Sequence, residues 1–365
     1  MTSSIIFAGQ EDSDFLPFGG SFALNSGPLR VDTTAQPFRS AYARYALNPC
    51  YQAQANAVGF STPTLGNISN FWFTARYFGQ GIGGIGNTAG GHAFQVLDAN
   101  NVVRLRMRNL NSTGSVPAGP NGPYRIEKVN AAGSATQLGS LDTSGGFTCS
   151  PAVPDKLDVF VNYAVAGQLT IYINGNKVFD YSGDITTDST TTVSYIRFLM
   201  AQWNSFGSGP YYNSWSEIIV ATRDTRNMSL ATQAGSALGN TDSFTGGAVA
   251  NVNGNLAKDT SPDYSVSATQ VQEYTVTPAI PSGNFGVISL VQHGRVSAGS
   301  SGPTKIDFLV RTGGTDYPSS DLTPAAAYTL LSYHWDTNPA TAAVWATTDF
   351  PASSSSFNFG YKSVA

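Results

Sequence analysis

The feature that most constrains this chain is two short alternating runs joined by one dipeptide. Residues 169–173 (LTIYI) and 177–181 (KVFDY) flank Asn174-Gly175. Apolar side chains at every second position describe a strand with one buried face. Asn-Gly between two such runs supplies the positive φ that a type I′ turn needs at both central positions, so the segment predicts a β-hairpin. The same period recurs where Val103, Leu105 and Met107 alternate with Arg104, Arg106 and Arg108. Further strands are expected at 71–78, 158–165, 194–201 and 216–222, and no helical period appears.

Composition agrees with a chain of strands and turns. The 365 residues include 38 Gly and 19 Pro, with long tracts of Ser, Thr, Asn and Ala, which are weak helix formers. The 21 Phe, 17 Tyr and 5 Trp supply enough apolar surface to offset chain entropy and exclude a disordered chain. A formal charge of −4 and a pI of about 5.3 exclude a basic nucleic-acid footprint. No apolar run reaches membrane-helix length, and residues 1–9 do not read as a secretory signal. Cys50 and Cys149 are expected as two buried thiols, with pairing as the alternative. Only 12% of the residues are charged, as suits a subunit that spends its life against neighbours.

A length of 365 residues exceeds one usual core, so two domains are expected. The small-residue stretch 229–240 reads as a linker between a jelly roll at 1–228 and a smaller β-sandwich at 241–365. Strands of the second part are expected at 271–276, 285–291, 305–311, 328–335 and 356–361. Turn chemistry every 8–12 residues or so favours sandwiches throughout. The run 79–91 contains G-x-G-x-x-G, but no βαβ pattern surrounds it, so it is a glycine-rich loop and not a nucleotide site.

The hairpin LTIYINGNKVFDY (169–181) and the later SEIIVATRDTRNM (216–228) resemble the concanavalin A-like, or laminin G-like, jelly rolls of bacteriophage virion proteins. IIFAGQEDSDF (5–15) and FRSAYARYAL (38–47) are similar to the openings of such proteins. FLVRTGG (308–314) and YHWDTNPATAAVW (333–345) are similar to the second β domain that often follows. The resemblance implies a non-enzymatic component on the virion surface: capsid decoration, head spike, collar or tail fibre. It implies synthesis in the host cytoplasm and assembly with other virion proteins and with further copies of the chain. A glycan-binding host-recognition module is the alternative, and a polysaccharide depolymerase the more distant one.

Candidate chemistry is sparse. The four glutamates Glu11, Glu127, Glu217 and Glu273 lack the paired spacing of a glycosidase, so Glu217 reads first as a structural carboxylate. His92, His293 and His334 are widely separated, which argues against zinc. No resident cofactor is expected. Calcium is the one ion with candidate ligands, at Asp180, Asp184 and Asp188 or at Glu11, Asp12 and Asp14, although loop aspartates more often bond their own backbone. The sharpest binding candidate is WNSFGSGPYYNSW, in which Trp203, Phe206, Tyr211, Tyr212 and Trp215 would form a protein anchor or a sugar platform. Inward packing as a cap on the sandwich is the alternative. Arg104, Arg106 and Arg108 form an arginine face, either solvated or set against an acidic neighbour. Arg223 and Arg226 flank Asp224 and are expected to pin the turn leaving the last strand of the jelly roll.

Overall fold

Both central residues of the Asn174-Gly175 turn take positive φ, 52° and 80°, as the dipeptide dictates. The Asn174 side chain then fastens the turn to a neighbouring strand, donating to Asp155 Oδ1 at 2.6 Å and accepting from the Lys156 N–H at 2.8 Å.

The computed structural model describes residues 4–9, 15–18, 22–24, 29–32, 46–49, 58–79, 92–109, 124–141, 155–200, 213–230, 235–245, 249, 263–276, 286–350 and 357–365. Of these, 17–18, 22–24, 29–32, 46–49, 58, 78–79, 92–93, 108–109, 199–200 and 213–214 are described by backbone alone. The chain divides into two compact units, Thr2–Leu230 and Ala231–Ala365.

The first unit opens with strands β1 (Ile5–Gly9), β2 (Leu16–Phe18), β3 (Phe22–Leu24), β4 (Leu29–Asp32), β5 (Ala46–Pro49) and β6 (Val58–Ser61). There follow β7 (Asn70–Gly79), β8 (His92–Leu97), β9 (Val103–Asn109), β10 (Tyr124–Val129) and β11 (Ala135–Ser140). The unit closes with β12 (Asp155–Asn162), β13 (Gly167–Ile173), β14 (Asn176–Gly183), β15 (Tyr195–Met200) and β16 (Asn213–Ala221). One sheet runs β14-β13-β12-β7-β16-β5-β4-β3, with β1 also on β16; the other runs β11-β10-β9-β8-β15-β6-β2. Among the described residues of this unit, all strand pairs are antiparallel except β3–β4.

Alternation sends one set of side chains from each sheet into a shared core. Phe71, Phe73, Leu157, Val159, Val161, Leu169, Ile171 and Ile173 enter from the first sheet, and Phe60, Phe94, Val96, Leu105, Met107 and Phe198 from the second, all at most 1% exposed. Rings meet across the gap: Phe73 lies 5.1 Å from Phe94, and Phe198 lies 5.1 Å from Trp215. This is the two-sheet sandwich that the alternation predicts.

The second unit contains β17 (Gly235–Asp242), β18 (Val271–Val276), β19 (Leu290–Val296), β20 (Lys305–Thr312), β21 (Thr315–Pro318), β22 (Thr329–Trp335) and β23 (Phe357–Val364). Five strands form a sheet in the order β17-β18-β23-β20-β21, and β19 pairs with β22 in a two-stranded ribbon. Val276, Val310, Trp335, Trp345 and Phe357 make its core, where Trp345 Nε1 donates to the Trp335 carbonyl at 2.6 Å. The tail motif at 333–345 therefore serves packing.

Three boundaries differ most from expectation, the first being the strand expected at 158–165, which lies at Asp155–Asn162. The predicted linker 229–240 contains much of β17, which pairs with β18. Its small residues have a packing reason, since a Cβ on Gly239 would come within 2.6 Å of Glu273 Cβ. The strand expected at 285–291 lies at Leu290–Val296. No helix of the described residues is long and apolar enough to cross a membrane.

Candidate functional site

The outward slots of β7, β12 and β13 hold aromatic rings. Trp72 sits between the fully buried Phe71 and Phe73, Phe160 between Val159 and Val161, and Tyr172 between Ile171 and Ile173. Each is half-buried. Trp72 and Phe160 face each other across the β7–β12 pair at 5.1 Å with planes 37° apart, and Trp72 stacks near Tyr172 at 6.1 Å and 25°. The three rings form a platform on the nine-stranded sheet.

Polar groups border this platform on the hairpin side. Thr170, opposite Phe160 in register, donates to Asp180 Oδ1 at 3.0 Å. Gln168 Nε2 lies 3.3 Å from the same oxygen, and Lys177 Nζ donates to Asp180 Oδ2 at 2.7 Å. The Lys177 ammonium holds the Asp180 carboxyl below its ordinary range. On the other side the segment after β16 is clipped down. Lys156 Nζ donates to the Arg226 carbonyl at 2.6 Å and to the Met228 carbonyl at 3.0 Å. Burial pushes Lys156 down and the neighbouring Asp158 up from their usual values. Arg226, ion-paired with Asp224 at 2.6 Å, lays its guanidinium 4.6 Å from the Tyr172 ring centroid and 5.4 Å from that of Trp72. Flat rings edged by an amide, a hydroxyl and a carboxylate can take a sugar, whose C–H face stacks on the rings while its hydroxyls bond the edge.

The seven-stranded sheet presents different chemistry. Register aligns Ser61, Arg197, Gln95, Arg106, Glu127 and Gln137 side by side on six successive strands. Arg197 donates to Ser61 Oγ and Gln95 Oε1, each at 3.3 Å, and burial pushes its guanidinium down. Arg106 donates to Glu127 Oε2 at 2.6 Å. Arg104, 5% exposed, is held by Asp98 at 2.7 Å and Asp188 at 2.5 Å. The arginine stripe is thus corrected on two counts. Arg104 is neither solvated nor available to a neighbouring molecule, and Arg106 is engaged within its own sheet. The cause is carboxylates outside β9, at Asp98, Glu127 and Asp188, which alternation within the strand does not reveal. Of Arg108 only the backbone is described.

The other candidates fall out as follows. Trp203, Phe206, Tyr211 and Tyr212 lie outside the described residues, as do Cys50, Cys149, Glu11, Asp12 and Asp14. Trp215 is fully buried and corrected from surface to core, because it pairs with inward Tyr77, whose ring lies 4.6 Å away and tilted by 49°. Glu217 is buried at a bulge in β16 with φ 50°, 3.2 Å from Arg76 Nε, a structural ion pair. Asp180, Asp184 and Asp188 do not converge: they serve Lys177, Lys128 and Arg104 respectively. Among the described residues no three His, Cys, Asp or Glu side chains form a metal-ligand group. Sequence reasoning passed over Trp72, Phe160 and Tyr172, although the signal was present: an aromatic residue between two inward apolar residues must face outward.

No family model and no curated protein matches the chain. Among solved structures it is similar to an endo-β-1,4-glucuronan lyase from the fungus Trichoderma reesei, at 11% identity and TM-score 0.40 over 60% of this chain and 96% of that one. It is similar to the cellulose induced protein Cip1 at 10% identity and TM-score 0.39, over 59% and 94%. It is also similar to alginate lyase Aly36B bound to alginate trisaccharide, at 13% identity and TM-score 0.33, over 48% and 83%. At such values the likeness transfers no chemistry. A sialidase, the binding domain of Paraclostridial Mosquitocidal Protein 1 and the botulinum neurotoxin type G receptor binding domain also match, and none of these neighbours is a phage virion protein. The expectation of a virion component is therefore withdrawn. The 169–181 hairpin and the 216–228 segment that prompted it hold buried framework residues such as Leu169, Ile171, Ile218 and Val220, which any sandwich of this kind needs.

Proposed function

We propose that this protein is a glycan-binding module that holds a sugar on the Trp72–Phe160–Tyr172 platform without cleaving it. The observation that carries this is the union of three outward rings with the Gln168–Thr170–Asp180–Lys177 edge. Lys177 and Asp180 cancel in charge, as do Arg226 and Asp224, so the platform suits an uncharged sugar. Retention without cleavage is supported by the engaged carboxylate: both Asp180 oxygens already accept hydrogen bonds, and Asp158 is buried.

Calorimetric titration with cello-, xylo- and laminari-oligosaccharides tests this reading. Trp72→Ala is expected to weaken the best ligand at least about tenfold, equivalent to ~1.4 kcal/mol. Unchanged affinity in that variant would remove the platform from the proposal. New reducing ends or unsaturated products in a long incubation would overturn retention without cleavage.

A further inference from the structure

The alternation that turns Phe71, Val161 and Leu169 inward turns Asn70, Asn162 and Gln168 outward, on the face that carries the rings. Register sets these amides side by side. Asn70 lies opposite Asn162, Asn162 opposite Gln168, and Gln168 opposite Ser182 on β14. The adjoining outward row on the same four strands is Trp72, Phe160, Thr170 and Asp180. A line of neutral polar side chains thus runs parallel to the line that holds two of the three rings. Gln168 directs its amide nitrogen to Thr170 Oγ1 and Asp180 Oδ1, each at 3.3 Å. Among the described residues, the side chains of Asn70, Asn162 and Ser182 have no hydrogen-bond partner. Asn70 and Ser182 are exposed and Asn162 is half-buried. Unlike the arginine row of the other sheet, this row keeps its hydrogen-bonding capacity for a ligand.

From this we infer the class of glycan bound, an inference that rests on the platform holding a neutral sugar: a flat, extended β-1,4-linked chain lying across the strands. Its C–H faces stack on Trp72 and Phe160, and its edge hydroxyls bond Asn70 and Asn162. A primary amide offers two donors and an acceptor, so each asparagine can serve two neighbouring hydroxyls at once. Four strands about 4.8 Å apart make a row of roughly 14 Å, room for about three hexose units. A straight row of this length favours a chain that stays straight. β-1,3- and α-1,4-linked chains curl and lift away from it. The amide row carries no charge, so it adds nothing for a uronic acid or a sulfate ester.

The test titrates the full chain with cellohexaose, xylohexaose, laminarihexaose and maltohexaose, and with cello-oligosaccharides of increasing length. Cellohexaose or xylohexaose is expected to bind at least about fivefold more tightly than either curled chain. Affinity should rise with length until the oligosaccharide spans the row, and then level off. Asn162→Ala is expected to weaken the best ligand about fivefold, as the loss of hydrogen bonds of ordinary strength does, and the double change Asn70→Ala, Asn162→Ala further. The amide row is overturned if the double variant, folded by circular dichroism, binds like wild type while Trp72→Ala has lost the ligand. The platform then stands without it. The flat-chain assignment is overturned if laminarihexaose or maltohexaose binds as tightly as the β-1,4-linked chains, or if a monosaccharide binds as tightly as a hexaose. Failure of every oligosaccharide to bind the wild type removes the platform itself, and the row with it.

Discussion

On the nine-stranded sheet the outward slots of neighbouring strands hold Trp72, Phe160 and Tyr172; on the seven-stranded sheet they hold Gln95, Arg106 and Arg197. Both rows rest on one floor of inward Phe, Val, Leu and Ile, so the difference owes nothing to the core. It lies in how each face satisfies its groups. The aromatic face leaves rings half-covered and draws a cation, Arg226, onto them from a loop. The arginine face is knit by ion pairs within the sheet and with adjoining turns, several of them nearly dry. Breaking a pair in a buried network strands a charge, whereas removing a cation from an exposed ring loses little. The two faces should therefore answer mutation very differently.

The largest effect is expected at the shared floor. Phe73 meets Phe94 and Phe198 from the opposite sheet, and Phe73→Ala should destabilise the first unit by about 3–5 kcal/mol, seen as a lower denaturation midpoint. An unchanged midpoint would show that the two faces do not share a floor. Next comes a pair of substitutions, one per face. Arg104→Met leaves Asp98 buried beside an apolar side chain and should cost about 3 kcal/mol. Arg226→Ala removes an exposed cation–π contact and should cost ~0.5–1 kcal/mol. Equal costs in chemical denaturation would contradict the division between a knit face and a half-open one.

The smallest effect is a dependence on pH. Asp184 accepts from the Thr186 hydroxyl and N–H and from Lys128, and these donors bring its carboxyl down to about 2 from an ordinary 3.8. A depressed carboxylate stabilises the fold above its unfolded value, and that contribution is lost as pH falls through the folded one. Asp184→Asn should therefore lower the melting temperature at pH 5, with the gap to wild type closing toward pH 2. A gap that stays constant with pH would mean that Asp184 acts by shape and not by charge.

Much of the sandwich was legible because side-chain alternation is a local property. The hairpin turn, β7, β9, β12, β13 and β16 follow from residues that are neighbours in sequence. β11 escaped because ATQLGS alternates in nothing, being exposed along most of its length. β17 was read as a linker because its small residues answer to Glu273, more than thirty positions away. Of the candidate sites, the outward direction of Trp72, Phe160 and Tyr172 was readable strand by strand, but their meeting on adjacent strands was not.

The sequence by itself therefore determined that the plainly alternating segments are strands, which side of each faces water, and that the two units are built from sheets. Tertiary structure alone decided which outward side chains meet. Trp215 became core because β16 lies beside β7 with Tyr77 pointing inward. Arg104 was buried because Asp98 and Asp188, 6 and 84 positions away, converge on it. The physical reason is one of range. Alternation is set by the backbone of consecutive residues, whereas charge pairing and ring contact depend on strand order and register, which the whole core fixes at once.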